Sequence, residues 1–306
     1  VVTLPEWGWA DLWPEGHDPA PVELRVWDPY GPVPDRADLV VLPYLDPGPC
    51  LPHLAEIDGL AVVQTLTAGF DDVLPYLPSG VTLCTAAGVH DASTAELAIG
   101  LVLASLRGID EAVRDGQQGR WRHGPHPSLA DRRVLLLGTG GIGSAIANRL
   151  SAFEVALTRV ASRAREDTRG HVHGADELPA LLPHHDVVIL ACPLTDRTRG
   201  LFDATALAAM PSGALLVNVA RGAVVVTDAL VAELERGRLR AALDVVDPEP
   251  LPADHPLWRL PGAIVTPHLG GHTTAFPVRA RRLLRDQVER FGAGQPLRNV
   301  VAGPGR

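Results

Sequence analysis

Apolar and polar positions fall along this chain in blocks whose period changes. Short runs rich in branched and aromatic side chains, Val22 to Trp27, Asp38 to Pro43, Leu60 to Gln64 and Val81 to Cys84, are separated by Pro, Gly and Asp. They predict strands of a small α/β unit. A second series starts at Arg133: Val134 to Leu137, Val155 to Ala161, Asp186 to Ala191, Ala214 to Val219, Ala241 to Val246 and Ala263 to Thr266. Helical stretches stand between these runs, and such alternation predicts a parallel sheet with helices on both faces.

Between the two series, Ser93-Thr94-Ala95-Glu96 has the spacing of a capping box, which predicts a helix starting there. Leu97 to Leu106 is apolar nearly all round, the pattern of a helix buried on several sides, as between two domains. After Pro277 the run to Phe291 predicts one more helix, and Pro296 to Arg306 reads as a loose tail. The sequence holds neither an internal repeat nor a low-complexity block.

The chain of 306 residues exceeds one typical domain and predicts two. Its 46% hydrophobic and 21% charged residues are enough to fill two cores. A net charge of −9 argues against a nucleic-acid partner, because affinity for a phosphate backbone comes from clustered positive charge. All 27 basic residues are arginines, which excludes any mechanism that needs a lysine. Cys50, Cys84 and Cys192 are odd in number and lack metal or redox spacing, so free buried thiols in a reducing compartment are expected. No segment has the pattern of a signal peptide or reaches the roughly 18 apolar residues of a membrane span. The expectation is a cytoplasmic protein with no membrane partner.

Gly138-Thr139-Gly140-Gly141-Ile142-Gly143 has G-x-G-x-x-G spacing directly after an apolar run and directly before a helical stretch, Ile142 to Ala152. In a strand-loop-helix setting the first glycine allows a tight turn, the second a close backbone approach to a pyrophosphate, and the third close packing of helix on strand. A site that prefers NAD carries an acid at the end of the next strand, for the ribose 2′-hydroxyl. Here Ser162, Arg163 and Arg165 occupy that region, and no acid comes before Glu166. A hydroxyl and guanidinium groups can bind a 2′-phosphate, so NADP(H) is expected over NAD(H). The alternative is that these arginines form a solvated face.

Three charged groups stand where later strands stop: Arg221 after Ala214 to Val219, Glu249 after Ala241 to Val246, and His268 after Ala263 to Thr266. Open α/β sheets bind ligands at such ends. Reduction of a keto acid needs a cation for the carboxylate and carbonyl, and an acid that protonates the alkoxide as hydride arrives. Arg221 and His268 fit these roles, and a carboxylate such as Glu249 would orient the imidazole and favour its charged form. Singly, Arg221 could be a surface ion-pair member, Glu249 a solvated acid and His268 a loop histidine. Their joint placement points to a site.

The segments GTGGIG, ACPLTDRTRGLFD, NVARGAVVV, ALDVVDPEPLPADHPLW and TPHLGG resemble the D-isomer-specific 2-hydroxyacid dehydrogenase family, and the likeness runs from about Leu60 to the end. The resemblance implies an α/β fold of two Rossmann-like domains with doubly wound parallel sheets. The smaller, discontinuous catalytic domain would take residues 1–90 and 275–306, and the NAD(P)-binding domain 91–274. It also implies Arg221, Glu249 and His268 as catalytic residues, with Ala68 and Gly69 of TLTAGFDD binding the substrate carboxylate alongside Arg221 and His268. Thr94, Cys192, Pro193, Ala220 and Asp244 would line the cofactor beside the glycine loop, although Asp244 could equally be a satisfied structural acid. A homodimer is implied as well. The first 55 residues match weakly, and Tyr44 and Trp258 could either shape the substrate pocket or belong to the core. Formate dehydrogenases of the family carry glutamine where Glu249 stands, and its phosphite dehydrogenases use a lysine. The small loop residues TAG and the region of Ser162, Arg163 and Arg165 fit the glyoxylate or hydroxypyruvate reductase type, with a bulkier or phosphonate-bearing keto acid left open and a dinucleotide-sensing corepressor of the same fold as the alternative.

Overall fold

The computed structural model describes residues 1–5, 13 and 22–304. The chain divides into two compact units, Val1–His90 with Thr274–Arg306, and Asp91–Thr273.

In the first unit, β1 (Val2–Leu4), β2 (Leu24–Val26), β3 (Leu39–Val41), β4 (Val62–Gln64) and β5 (Thr82–Cys84) form a parallel sheet in the order β5-β4-β3-β1-β2. Residues 296–306 are not a loose tail throughout, because Val300–Ala302 pairs antiparallel with β5 and adds a sixth strand. The chain turns into this strand at Asn299, whose φ is +52° and whose side-chain amide donates to the carbonyls of Thr85 and Ala87 at 3.1 and 2.9 Å. The helix Ala275–Gly292 packs Phe276, Ala280, Leu284 and Val288, one helical stripe, against the sheet residues Leu39, Val41 and Val62. Pro277 lies in its first turn, where a missing N–H removes no helix bond. Buried Gln287 fastens the helix to β4 by donating to Gln64 Oε1 at 2.7 Å.

The second unit runs α1 (Asp91–Leu106), α2 (Ile109–Gln117), β6 (Arg133–Leu137), α3 (Gly141–Leu150), β7 (Ala156–Ala161), β8 (Arg165–Asp167), β9 (Gly170–Gly174), α4 (Leu178–Leu181), β10 (Val187–Leu190), α5 (Ala204–Ala209), β11 (Leu215–Asn218), α6 (Thr227–Glu235), β12 (Arg240–Leu243) and β13 (Ala263–Val265). Its eight-stranded sheet has the order β13-β12-β11-β10-β6-β7-β9-β8. All pairs are parallel except β8 with β9, an edge hairpin that the strand pattern did not announce. The chain leaves β6 for β7 on one side and later returns to β10 on the other. That reversal makes the β6/β10 boundary the topological switch point, where such sheets open a crevice.

The central strands are apolar throughout β10 and at every position of β6 and β11 except Arg133 and Asn218, because both faces are covered. Leu135, Leu137, Val188, Leu190 and Leu216 point into a core with Phe202, Leu207 and Leu230. Their neighbours Val134, Leu136, Val187, Ile189 and Val217 point the other way, against Ala98, Val102 and Ile146. The helix α1 starts at Asp91, two residues before the expected cap. Ser93 is thus buried within its first turn, and exposed Glu96 accepts from Arg149 at 3.1 Å. Among the described residues no single helix is long and apolar enough to cross a membrane.

Phe202 is fully buried in the larger core. Phe202→Ala is expected to destabilise the second unit by about 3–5 kcal/mol, read from a denaturant melt; a loss under 1 kcal/mol would mean that the core can close over the gap.

Candidate active site

Parallel register brings Leu137, Leu190, Asn218, Leu243 and Val265 abreast at the ends of β6, β10, β11, β12 and β13. The chain segments that follow therefore share one edge of the sheet, and the polar residues of the site hang from it.

At the switch point, Gly138 has φ +109° and packs so closely that a Cβ there would lie 2.3 Å from the Ala191 carbonyl oxygen. A Cβ at Gly143 would meet the Gly138 carbonyl at 2.0 Å, so the third glycine lets α3 start hard against the turn. Gly140 faces open space. It caps α3 without a side-chain hydrogen bond, and no acid lies in the first turn. The N–H groups of Gly141, Ile142 and Gly143 are then helix-terminal donors of the kind that bind anions. Gly141 lies against the Asp91 carboxylate, which an added Cβ would meet at 2.1 Å. These residues fit a dinucleotide diphosphate: an open backbone cradle, helix-terminal donors and a crevice at the strand reversal.

Ser162 and Arg163 are exposed just beyond β7. Arg165 is on the edge strand β8, not in a loop, and its guanidinium donates to Thr139 Oγ1 of the glycine loop at 2.6 Å. The acids that follow face other partners: Glu166 Oε1 lies 2.7 Å from His171 Nδ1, and Asp167 Oδ2 accepts from buried Arg159 at 2.7 Å. Cys192 and Ala220 are buried, Pro193 is exposed, and burial pushes the Cys192 thiol up to about 11, so it stays protonated. All three cysteines are buried and outside disulfides.

Glu249 and His268 meet, with Glu249 Oε1 2.5 Å from His268 Nδ1. That hydrogen bond is the main cause raising the His268 pKa above its ordinary value; burial and Arg221 oppose it. For Glu249, burial pushes upward, but the His268 hydrogen bond and charge, the Val246 amide and Arg221 outweigh it and hold the carboxyl below its usual range. The pair is therefore biased to imidazolium and carboxylate.

His268 has φ +52°, a left-handed conformation that a non-glycine residue adopts at a cost. Asp244 holds it there. The His268 N–H donates to the Asp244 carbonyl at 2.9 Å. The Asp244 carboxylate accepts from Thr266 Oγ1 at 2.6 Å and from the amides of Leu269 and Gly270 at 2.7 and 2.9 Å. Thr94 packs against the same turn, since a Cβ at Gly270 would lie 3.2 Å from its Oγ1.

Arg221 follows a turn that two residues shape. Asn218, 1% exposed, accepts from the Ala220 amide at 3.0 Å and donates to the Arg221 carbonyl at 2.9 Å. Gly222 lies so close to the Glu249 loop that a Cβ would sit 1.9 Å from the Val246 carbonyl oxygen. Sequence reasoning assigned nothing to Asn218, Gly222 or Thr266. The signal for Asn218 was an amide side chain closing an otherwise apolar strand.

A cavity of about 230 Å³ adjoins the pair, walled by Glu249, Pro250, Leu251, Trp258, Val265 and His268. Trp258 is thus a wall residue, with its Nε1 donating to the Pro252 carbonyl at 2.9 Å. In the first unit, Thr67 Oγ1 donates to the Gly69 carbonyl at 2.7 Å and shapes the loop of Ala68 and Gly69. Tyr44 stacks on Phe276 with ring centroids 4.0 Å apart, in the core cluster of that unit.

Residues 99–270 match the family model for the D-isomer specific 2-hydroxyacid dehydrogenase NAD-binding domain. The chain belongs to that family. It is an NAD(P)-dependent 2-hydroxyacid dehydrogenase, and similar proteins include reductases. A glyoxylate reductase of Aeropyrum pernix is 33% identical over 301 residues, covering 91% of this chain and 89% of its own. A glyoxylate/hydroxypyruvate reductase A of Serratia proteamaculans is 34% identical over 91% of this chain and 90% of its own. Among solved structures, the family member from Xanthobacter autotrophicus Py2 in complex with NADPH and MES has a TM-score of 0.79 and 31% identity, covering 92% of this chain and 90% of its own. In this dehydrogenase Gly222 packs directly on the backbone of the Glu249 loop. Gly222→Ala is expected to cost roughly 1–3 kcal/mol of stability, the scale of overpacking, and to lower turnover; a variant with wild-type melting and wild-type rates would show that the two loops separate freely.

Proposed function

We propose that this dehydrogenase reduces a small 2-keto acid of the glyoxylate or hydroxypyruvate type to the D-2-hydroxy acid with NADPH, or runs the reverse reaction. The observation that carries the reading is the Glu249–His268 contact at 2.5 Å beside Arg221, on the edge of the sheet that also bears the glycine loop. Reduced nicotinamide, when bound, supplies the hydride. His268 uses Nδ1 for Glu249, which leaves Nε2 as the atom that gives a proton to the developing alkoxide. Glu249 orients the ring and stabilises its charged form before transfer. Arg221 offers charge-assisted donors to the substrate carboxylate and carbonyl. Asp244 is a positioning residue that holds the His268 turn.

The cofactor would lie along Thr94, Gly138, Gly140, Gly141, Ile142, Gly143, Cys192, Pro193 and Ala220. Ser162, Arg163 and Arg165 read the 2′-phosphate, so NADP(H) is preferred. Support comes from the Arg165 contact to the glycine loop and from the engagement of Glu166 and Asp167 elsewhere. Exposed Ile109 and Val113, one turn apart on α2, support the homodimer that the family resemblance implies. Three buried cysteines outside disulfides suit a reducing, cytoplasmic setting.

Initial rates of NADPH and NADH oxidation with glyoxylate, hydroxypyruvate and pyruvate test the proposal; no turnover in a protein that still binds dinucleotide would overturn it. His268→Ala is expected to lower kcat by about 100-fold or more while leaving NADPH affinity nearly unchanged. Retained turnover would remove His268 from the chemistry. Arg165→Ala is expected to weaken NADPH by roughly 10-fold, the scale of a lost charge-assisted hydrogen bond, with little change for NADH. Equal losses for the two would show that the 2′-phosphate is read elsewhere.

A further inference from the structure

Outside the dehydrogenase site, the edge hairpin gathers metal-ligating side chains. His171 and His173 alternate along β9 and therefore share one of its faces. Their rings meet edge to face, with centroids 4.5 Å apart. The next turn returns Glu177 to the same place, where Oε2 lies 2.8 Å from His173 Nδ1. The other oxygen, Oε1, accepts the Gly174 amide at 2.8 Å and fixes the carboxylate. One ligand atom from each of His171, His173 and Glu177 lies within 4.8 Å of the other two. Metal bonds of about 2.1 Å put neighbouring ligands of a tetrahedral zinc ion about 3.4 Å apart. Small side-chain rotations close that difference.

We propose that His171, His173 and Glu177 form a binding site for a divalent cation of the zinc class. Two imidazole nitrogens and one carboxylate select a borderline-soft ion over magnesium or calcium, which take oxygen ligands. Glu166, bonded to His171 Nδ1, is placed to orient that ring while Nε2 takes the metal. Three protein ligands leave a fourth position to water. Metal bound here ties β9 to the turn that follows it and stiffens the hairpin whose other strand carries Arg165.

Calorimetric titration of the full chain with ZnCl₂ tests the site. Saturable binding of one ion per chain is expected, weakened by at least about 10-fold in His173→Ala and in Glu177→Gln. His53→Ala, which breaks an exposed histidine–glutamate contact of 2.9 Å in the first unit, is expected to leave binding unchanged. Circular dichroism melts check that each variant is folded. Glu177→Gln keeps an oxygen for the Gly174 amide, so it separates lost ligation from a lost turn. Zinc is also expected to raise Tm in the wild type and not in these two variants. The proposal is overturned if folded His173→Ala and Glu177→Gln bind zinc as the wild type does, or if the wild type binds no zinc, which would leave the cluster as two ordinary ion pairs.

Discussion

Asp244 is 3% exposed at the end of β12, and a carboxylate taken that far from water costs several kcal/mol unless its lone pairs are filled. The turn from Thr266 to Gly270 fills them with one hydroxyl and two backbone amides. In satisfying the acid, the chain is drawn into the left-handed conformation at His268 and delivers its imidazole to Glu249. The position of the His268 imidazole thus follows from a buried charge at the end of the neighbouring strand, rather than from contacts of the ring alone.

The rest of the site depends on how closely backbones approach. Gly138 on Ala191, Gly143 on Gly138 and Gly222 on Val246 each stand where a Cβ would lie 2.3 Å or less from a carbonyl oxygen. The first two bring the glycine loop, β10 and α3 together at the switch point. The third brings the Arg221 turn against the loop that leads to Glu249. Strand register does the remainder, because parallel strands that end abreast deliver their following residues to one edge.

Much of this was legible in the sequence, for reasons that differ by element. The central strands are apolar at nearly every position because both faces are covered, so they read clearly. Glycine spacing marked the cradle, and charged residues just past apolar runs marked Arg221, Glu249 and His268. The strand Val300–Ala302 was hidden because its pairing with β5 joins residues more than two hundred positions apart. The hairpin of β8 and β9 was hidden because its residues are mostly polar and exposed, which leaves no apolar alternation to read. The helix α2 offered only Ile109 and Val113 as large apolar positions. Ser93 and Glu96 fitted a cap by spacing, yet the helix continues back to Asp91. Asn218 and Gly222 act through backbone contacts, which a pattern of side chains does not record.

The claim at the centre is that Glu249 sets the protonation of His268, and the pH dependence of kcat/KM for keto acid reduction tests it most directly. In the proposed mechanism reduction needs the imidazolium, so the rate should hold at low pH and fall as pH rises through the His268 pKa, which Glu249 lifts above its ordinary value. Glu249→Gln keeps an oxygen to orient the ring but removes the charge. In that variant the falling limb should move to lower pH, and the limb of the reverse reaction, which needs neutral histidine, should move the same way. A limb at the same pH in both proteins would contradict the account.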